Sequence, residues 1–247
     1  MKPFLILQLR PNDMAADNEF SAFLLYGGLL EKDVHRVRME KEGIPEIDLN
    51  NYSAIIIGGG PSNVSDPDKK KEEYEKRFEA DLDGLLDKVF EEDFPVLGNC
   101  YGIGALAKNR GGEVSKENYS ENIGAVEVEM TEAGKKDDLL AELPTRFLAY
   151  VGHKEACQSL PTGATLLVRS DNCPIQMIRF GKNSYATQFH TELDWEGILV
   201  RIDIYKNHGY YSLEDVDNII EEIKKYQVTA PGMILRNFVE KYKQAEL

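Results

Sequence analysis

The first 110 residues alternate short apolar runs with segments of helical periodicity. Strands alternating with helices are typical of a parallel sheet that carries helices on both faces. The pattern therefore predicts an α/β fold with a doubly wound, mostly parallel central sheet. We interpret the apolar runs as strands at 4–9, 34–39, 52–57 and 95–98, and the periodic segments as helices at 18–29, 68–92 and 101–109.

The remainder of the chain is richer in short strands and then closes with helices. We expect the strands to extend the sheet and to add antiparallel hairpins. No repeat, low-complexity tract or Pro/Gly-rich linker interrupts the sequence, so we predict a single domain over 1–247 with C-terminal helices within 193–247. The predicted strands lie at 125–130, 146–150, 164–170, 174–180 and 184–189, and the predicted helices at 193–207, 212–226 and 230–244.

Charge and composition exclude several classes of partner. The formal net charge of −14 argues against a nucleic-acid partner, which requires a basic face to neutralise phosphates. No stretch approaches the roughly 20 apolar residues that span a bilayer, and the apolar run at the N-terminus is too short for a signal peptide. Three cysteines in different local settings do not suggest a disulfide framework. We therefore expect a cytoplasmic protein with no membrane contact.

Cys100 lies at a predicted strand-to-helix turn, with Gly98 and Gly102 two positions away on either side. This arrangement is typical of a nucleophile elbow, in which cysteine replaces serine. Glycine is required where the flanking backbone comes too close for a Cβ. The helix that follows directs its first amides toward the thiol, which favours the thiolate, and the Tyr101 amide is placed to donate to an oxyanion. The alternative is a buried structural cysteine beside a glycine turn.

His190 and Glu192 follow the predicted strand at 184–189. In extended backbone, residues i and i+2 point to the same side, so Glu192 is expected to bond one imidazole nitrogen while the other faces the thiol. This is the arrangement of a nucleophile, a base and an orienting carboxylate. A surface histidine and glutamate at a strand end is the alternative.

Gly58, Gly59 and Gly60 follow the apolar run at 52–57 and leave backbone amides bare at the end of a strand. We expect the amides of Gly59 and Gly60, together with that of Tyr101, to form an oxyanion hole. The alternative is an ordinary turn. No phosphate-loop pattern follows the glycines. All three segments lie at the carboxyl ends of predicted strands, where open α/β sheets place their sites.

These residues resemble the class I glutamine amidotransferase family, and most of all free-standing relatives of the GMP synthase glutaminase domain. The elbow, usually G-x-C-x-G-x-Q, is here Gly98-Asn99-Cys100-Tyr101-Gly102-Ile103-Gly104. The closing motif, usually Q-F-H-P-E, is Gln188-Phe189-His190-Thr191-Glu192, and a G-G-P motif matches Gly59-Gly60-Pro61. The likeness extends over roughly residues 4–200, with the motifs in the family's order.

The resemblance implies a flavodoxin-like fold and cysteine-dependent hydrolysis of the glutamine side-chain amide. Cys100 would form a γ-glutamyl thioester, His190 would transfer protons and Glu192 would orient His190. The ammonia would serve a separate synthase subunit. The resemblance implies no cofactor.

Two positions depart from the family pattern: Gly104 replaces glutamine and Thr191 replaces proline. We expect Gly104, His153 and Gln188 to bind the substrate. A pocket widened at Gly104 would accept other γ-glutamyl compounds, so a γ-glutamyl peptidase and a catalytically weak binding or regulatory module remain alternatives to a glutaminase. Without a metal-binding spacing of His or Cys, we predict no metal site. We interpret the other two cysteines as structural.

Overall fold

The computed structural model describes residues 1–206 and 213–244 of the 247-residue chain. Residues 207–212 and 245–247 lie outside the described residues, and the predicted helices at 193–207 and 212–226 each extend into the first of these two gaps. The strands are β1 (Phe4–Gln8), β2 (Val34–Arg38), β3 (Ile55–Ile57), β4 (Val96–Asn99), β5 (Val114–Ser115), β6 (Glu121–Met130), β7 (Arg146–His153), β8 (Ala156–Cys157), β9 (Ala164–Arg169), β10 (Met177–Phe180) and β11 (Ser184–Thr187). The α-helices are α1 (Asp13–Gly27), α2 (Met39–Glu42), α3 (Glu73–Glu91), α4 (Tyr101–Asn109), α5 (Trp195–Tyr205), α6 (Val216–Ile223) and α7 (Ala230–Tyr242).

Nine strands form one sheet in the order β2-β1-β3-β4-β11-β10-β9-β6-β7. The first five strands in this order, β2, β1, β3, β4 and β11, are parallel to one another. The remaining strands, β10, β9, β6 and β7, continue the sheet with antiparallel pairing. The predicted doubly wound sheet with added antiparallel strands is confirmed. The short pair of β5 and β8 forms a second sheet that the sequence pattern did not indicate.

Several element boundaries differ from the predictions. Helix α1 begins at Asp13, five residues before the predicted start, because the side chain of Asn12 accepts a hydrogen bond from the Ala15 amide at 3.0 Å. The predicted strand at 52–57 narrows to β3, and the predicted strand at 125–130 begins earlier, at Glu121.

Helices cover both faces of the sheet. Alternate residues of β1 and β3 face opposite sides, so Leu5 and Leu7 join one apolar core while Phe4 and Ile6 join the other. Helices α3 and α4 supply side chains to the first core, and α1 and α7 supply them to the second. None of the helices within 1–206 and 213–244 is long and apolar enough to cross a membrane.

The carboxyl ends of β1, β3, β4 and β11 meet at one edge of the sheet, because these strands are parallel and adjacent. The segments that follow them carry Arg10, the Gly58–Gly60 loop, Cys100 and His190. Helix α5 lies near the same edge, because its Tyr205 side chain accepts a hydrogen bond from Arg10. The fold therefore brings the predicted motifs to one place.

Candidate active site

Cys100 forms the turn between β4 and α4 with φ of 51° and ψ of −92°, a conformation that residues with a Cβ rarely adopt. Its amide donates a hydrogen bond to the Thr187 carbonyl at 2.8 Å. A Cβ on Gly98 would lie 2.9 Å from the backbone carbonyl carbon of Gly102, so the two glycines permit the close approach of strand and helix. The backbone thus has the geometry of a nucleophile elbow.

His190 follows β11 and is 5% exposed, while Glu192 is fully buried. The imidazole Nδ1 donates to Glu192 Oε1 at 2.9 Å. Burial lowers the pKa of His190, but the charge of Glu192 and the neighbouring Cys100 outweigh it and raise that pKa to about 9. Burial has the opposite effect on the carboxyl group and raises the pKa of Glu192, but His190 and the guanidinium of Arg201 outweigh it and lower that pKa to about 2. Both shifts favour an ion pair of imidazolium and carboxylate.

The glycine loop, Gly58–Gly60, packs directly against this pair. A Cβ on Gly59 would lie 2.6 Å from His190 Cε1 and 3.3 Å from Cys100 Cβ. The Gly59 amide donates to Glu19 Oε1 at 3.3 Å, so it is directed away from Cys100. Within residues 1–206 and 213–244, the amides of Gly60 and Tyr101 have no hydrogen-bond acceptor. Of the three predicted oxyanion donors, these two remain available.

A cavity of about 40 Å³ lies at this point. Three of its lining residues, Gly60, Cys100 and His190, were singled out from the sequence, whereas Arg10 and Tyr205 were not. Arg10 follows β1 at the same sheet edge, a position that could have drawn attention to it, while Tyr205 lies at the end of α5, where the sequence carries no signal. The lining residues are Arg10, Gly60, Cys100, Ile123, Gly152, His190 and Tyr205.

None of the three residues expected to bind substrate, Gly104, His153 and Gln188, lines this cavity. His153 is buried, with Nε2 at 2.8 Å from Glu121 Oε2 and Nδ1 at 2.9 Å from the Glu155 carbonyl. Because side chains alternate along β7, Gly152 borders the cavity and His153 points away from it. Gln188 is 2% exposed, and its backbone amide donates a hydrogen bond to the backbone carbonyl of Gln176 at 2.8 Å.

The space beside Gly104 is occupied. A Cβ at this position would lie 3.0 Å from Val64 Cγ2 and 3.4 Å from Glu155 Oε1. The Glu155 carboxylate accepts hydrogen bonds from the amides of Val64 and Ser65 at 2.8 and 2.9 Å, which fixes it there. The glycine therefore does not open a wider pocket on this side of α4.

Asn99, the residue before Cys100, forms hydrogen bonds with Thr191. The Asn99 side-chain oxygen accepts from the Thr191 hydroxyl at 2.6 Å and from the Thr191 amide at 3.2 Å. The Asn99 amide group donates to the Ile57 carbonyl at 3.1 Å. One buried side chain thus connects the end of β3, the elbow and the residue after His190. A proline at 191 would lack the donating amide.

Away from the cavity, Glu121, His153 and Cys173 place their ligand-type atoms within 4.8 Å of one another. They are the residue types that bind metals, although no spacing in the sequence indicated it. The carboxylate, the imidazole and Gln176 already form hydrogen bonds among themselves, and burial raises the pKa of Cys173 to about 12. Burial raises the pKa of Cys157 to about 12 as well. Both thiols are therefore protonated at neutral pH.

Known proteins resemble this chain in sequence and in fold. The family model "Glutamine amidotransferase class-I" matches residues 17–196. A GMP synthase [glutamine-hydrolyzing] from Thermosipho melanesiensis is 30% identical over 184 residues, which cover 74% of this chain and 30% of that protein. The corresponding protein of Neisseria meningitidis serogroup C is 31% identical over 151 residues, covering 61% of this chain and 26% of that protein. The chain thus spans about a third or less of these relatives.

Solved structures show the same fold. A glutamine amidotransferase from Thermotoga maritima superposes with a TM-score of 0.76 at 20% identity, covering 98% of each chain. A glutamine amido transferase from Methylobacillus flagellatus gives a TM-score of 0.74 at 19% identity, covering 100% of this chain and 98% of that one. The overall architecture is therefore shared along nearly the whole length.

Proposed function

This chain belongs to the class-I glutamine amidotransferase family, and on that premise we propose that it hydrolyses the side-chain amide of glutamine with Cys100 as the nucleophile. The observation that carries the proposal is the convergence of Cys100, the hydrogen-bonded pair His190–Glu192 and the glycine loop on one cavity. Each comes from a different strand end, and together they supply a nucleophile, an acid–base group and oxyanion donors.

In the first half of the reaction, the Cys100 thiolate attacks the amide carbon and the carbonyl electrons move to oxygen. The amides of Gly60 and Tyr101 stabilise this oxyanion, since both are available as donors. When the tetrahedral intermediate collapses, the carbon–nitrogen bond breaks. The His190 imidazolium gives its proton to the nitrogen, which leaves as ammonia. A γ-glutamyl thioester remains on Cys100.

In the second half, water attacks the thioester and His190, now neutral, accepts its proton. The carbon–sulfur bond breaks, glutamate leaves and the thiolate is restored with its imidazolium partner. Glu192 keeps the imidazole in one tautomer and orientation through the bond to Nδ1, so that Nε2 is the nitrogen that exchanges protons.

Glutamine is the favoured substrate over larger γ-glutamyl conjugates. The sequence suggested a wider pocket at Gly104, but Val64 and Glu155 fill the space beside this glycine. The filled space removes the reason to expect a pocket for larger conjugates.

We propose further that the ammonia is used by a synthase subunit. The curated relatives are named as glutamine-hydrolysing GMP synthases, and this chain matches only 26–30% of the length of the two described above. The amidotransferase family model matches residues 17–196 of this chain. A purine nucleotide is accordingly the first ammonia acceptor to examine.

A panel of glutamine, glutathione and other γ-glutamyl amides tests the function. We expect ammonia and glutamate from glutamine, and an adduct on Cys100 in the intact mass when the reaction is stopped early. Cys100→Ser is expected to abolish turnover and adduct while leaving the circular dichroism spectrum and Tm unchanged. Turnover that survives this substitution contradicts the mechanism. Turnover of conjugates alone selects a γ-glutamyl hydrolase, and inactivity on every compound selects a binding module.

A further inference from the structure

Glu19 is a fully buried glutamate in α1, outside the three motifs. Its carboxylate accepts hydrogen bonds from Gln8 Nε2 at 2.8 Å, from Arg10 Nε at 2.7 Å and from the Gly59 amide at 3.3 Å. A buried carboxylate with donors on both oxygens is held in one orientation. The Glu19 carboxylate therefore has a fixed position and can orient the groups that contact it, which are the glycine loop and Arg201.

One link runs from Glu19 to the glycine loop. A Cβ on Gly58 would lie 2.6 Å from Glu19 Oε2, so the carboxylate rests directly against the loop backbone. The hydrogen bond from the Gly59 amide fixes the peptide before Gly59, and Gly59 itself touches His190 and Cys100. The orientation of this backbone determines where the next amide, that of Gly60, points.

A second link runs from Glu19 to the carboxylate that holds His190. Arg201 is 4% exposed on α5, and its Nη2 lies 3.7 Å from Glu19 Oε1 and 3.3 Å from Glu192 Oε1. One guanidinium is thus shared between two carboxylates. Its position relative to Glu192 depends on the attraction of Glu19.

The groups facing Glu19 alternate in charge. Arg10 pairs with Glu19, Arg201 lies between Glu19 and Glu192, and Glu192 bonds the His190 imidazolium. Tyr205 accepts a hydrogen bond from Arg10, and Cys100 lies beyond the imidazole. In a buried site such charges interact strongly, so removal of one changes the electrostatic energy of the others.

We propose that Glu19 is a positioning residue for the reaction. It orients the Gly58–Gly60 loop on one side and, through Arg201, the Glu192 carboxylate on the other. This inference rests on the proposed function for its effect on rate, but the arrangement of charges can be examined without turnover.

Glu19→Gln keeps the size of the side chain and removes its charge. We expect kcat to fall by roughly 10²-fold with a much smaller change in KM, because the donors and the base are misplaced while the substrate still binds. Arg201 would then neutralise Glu192 alone, so the titration midpoint of His190 should fall by on the order of one pH unit. Arg201→Met should raise that midpoint, since a cation near the imidazolium is removed.

The pH dependence of kcat/KM and an NMR titration of the His190 ring measure these effects. Asp137→Asn is the matched control, because Asp137 is also a buried carboxylate paired with an arginine, Arg179, and this pair makes no contact with the groups above. It should lower Tm without moving the His190 midpoint.

Wild-type kcat and midpoint in a destabilised Glu19→Gln protein would reduce Glu19 to a packing role and overturn the proposal. A shift of both variants in the same direction would do so as well. Where Glu19→Gln does not fold, Arg201→Met decides by itself, and an unchanged midpoint refutes the link. The NMR titration needs no substrate, so a wild-type protein inactive on glutamine contradicts the proposed function and leaves this test intact.

Discussion

Gly59 packs so closely against the imidazole of His190 and the side chain of Cys100 that no β-carbon fits there. Glycine is required here for space, since Gly59 has no positive φ. A side chain at position 59 would therefore displace the imidazole of His190 from the thiol of Cys100.

Gly59→Ala should reduce kcat/KM by at least roughly 10²-fold, because the methyl group displaces the imidazole from the thiol. Gly84→Ala is the control: Gly84 is exposed in α3 with no atom within 4 Å of a Cβ, and this change should stabilise the protein by about 0.5–1 kcal/mol with unaltered kinetics. Steady-state kinetics and thermal unfolding measure both. Full activity of Gly59→Ala would show that the close approach is not needed.

At the scale of elements, the site depends on how β3, β4 and β11 are held in register beyond their backbone ladders. Asn99 provides that connection, because its side chain reaches the Ile57 carbonyl on one side and Thr191 on the other. The bonds are buried, so breaking one leaves polar atoms without partners.

Asn99→Ala and Thr191→Val should each destabilise the protein, and the double variant should cost about 0.5–3 kcal/mol less than the sum, since the two side chains share a bond. Chemical denaturation gives the free energies of unfolding. Asn99→Ala with Thr131→Val is the control pair and should be additive, because the Thr131 hydroxyl donates to the Leu166 carbonyl at 2.7 Å, a bond that does not involve Asn99. Additive effects for Asn99 and Thr191 would refute the proposed connection through Asn99.

The elements and the local motifs were predictable because their signals lie within a few residues. The elbow glycines surround Cys100, and Glu192 lies two positions after His190. The pairing of Asn99 with Thr191 was not predictable, since it joins segments 92 residues apart. The filling of the space beside Gly104 was not predictable either, because the glutamate that occupies it, Glu155, lies 51 positions later in the chain.

Across the whole molecule, the sheet separates two apolar cores, and the candidate site uses groups attached to both. Helix α4 packs in one core and carries the amides that follow Cys100, while α1 packs in the other and carries Glu19. Glu19 and Arg201 are 182 positions apart, from 19 to 201, and meet only in the folded chain. Such a contact has no periodicity or spacing by which a sequence would reveal it.

Phe238→Ala in α7 should destabilise the protein by about 3–5 kcal/mol, because this fully buried ring would leave a cavity in the second core. Met233→Ala on the same helix is the control, since Met233 is 39% exposed, and it should change stability far less. Below the unfolding transition, kcat of Phe238→Ala should remain near wild type, which denaturation and kinetics together can establish. An equal effect of both substitutions would show that α7 packs differently.

The backbone at Cys100 has a positive φ, and the energetic cost of this conformation is met during folding and not during catalysis. Its dihedral angles follow from the chain itself, through the bond to the Thr187 carbonyl and the contact of Gly98 with Gly102. The unfavourable conformation is accordingly imposed once, when the protein folds. In every later turnover the Cys100 side chain is already oriented for attack, so substrate binding energy is not needed to orient it.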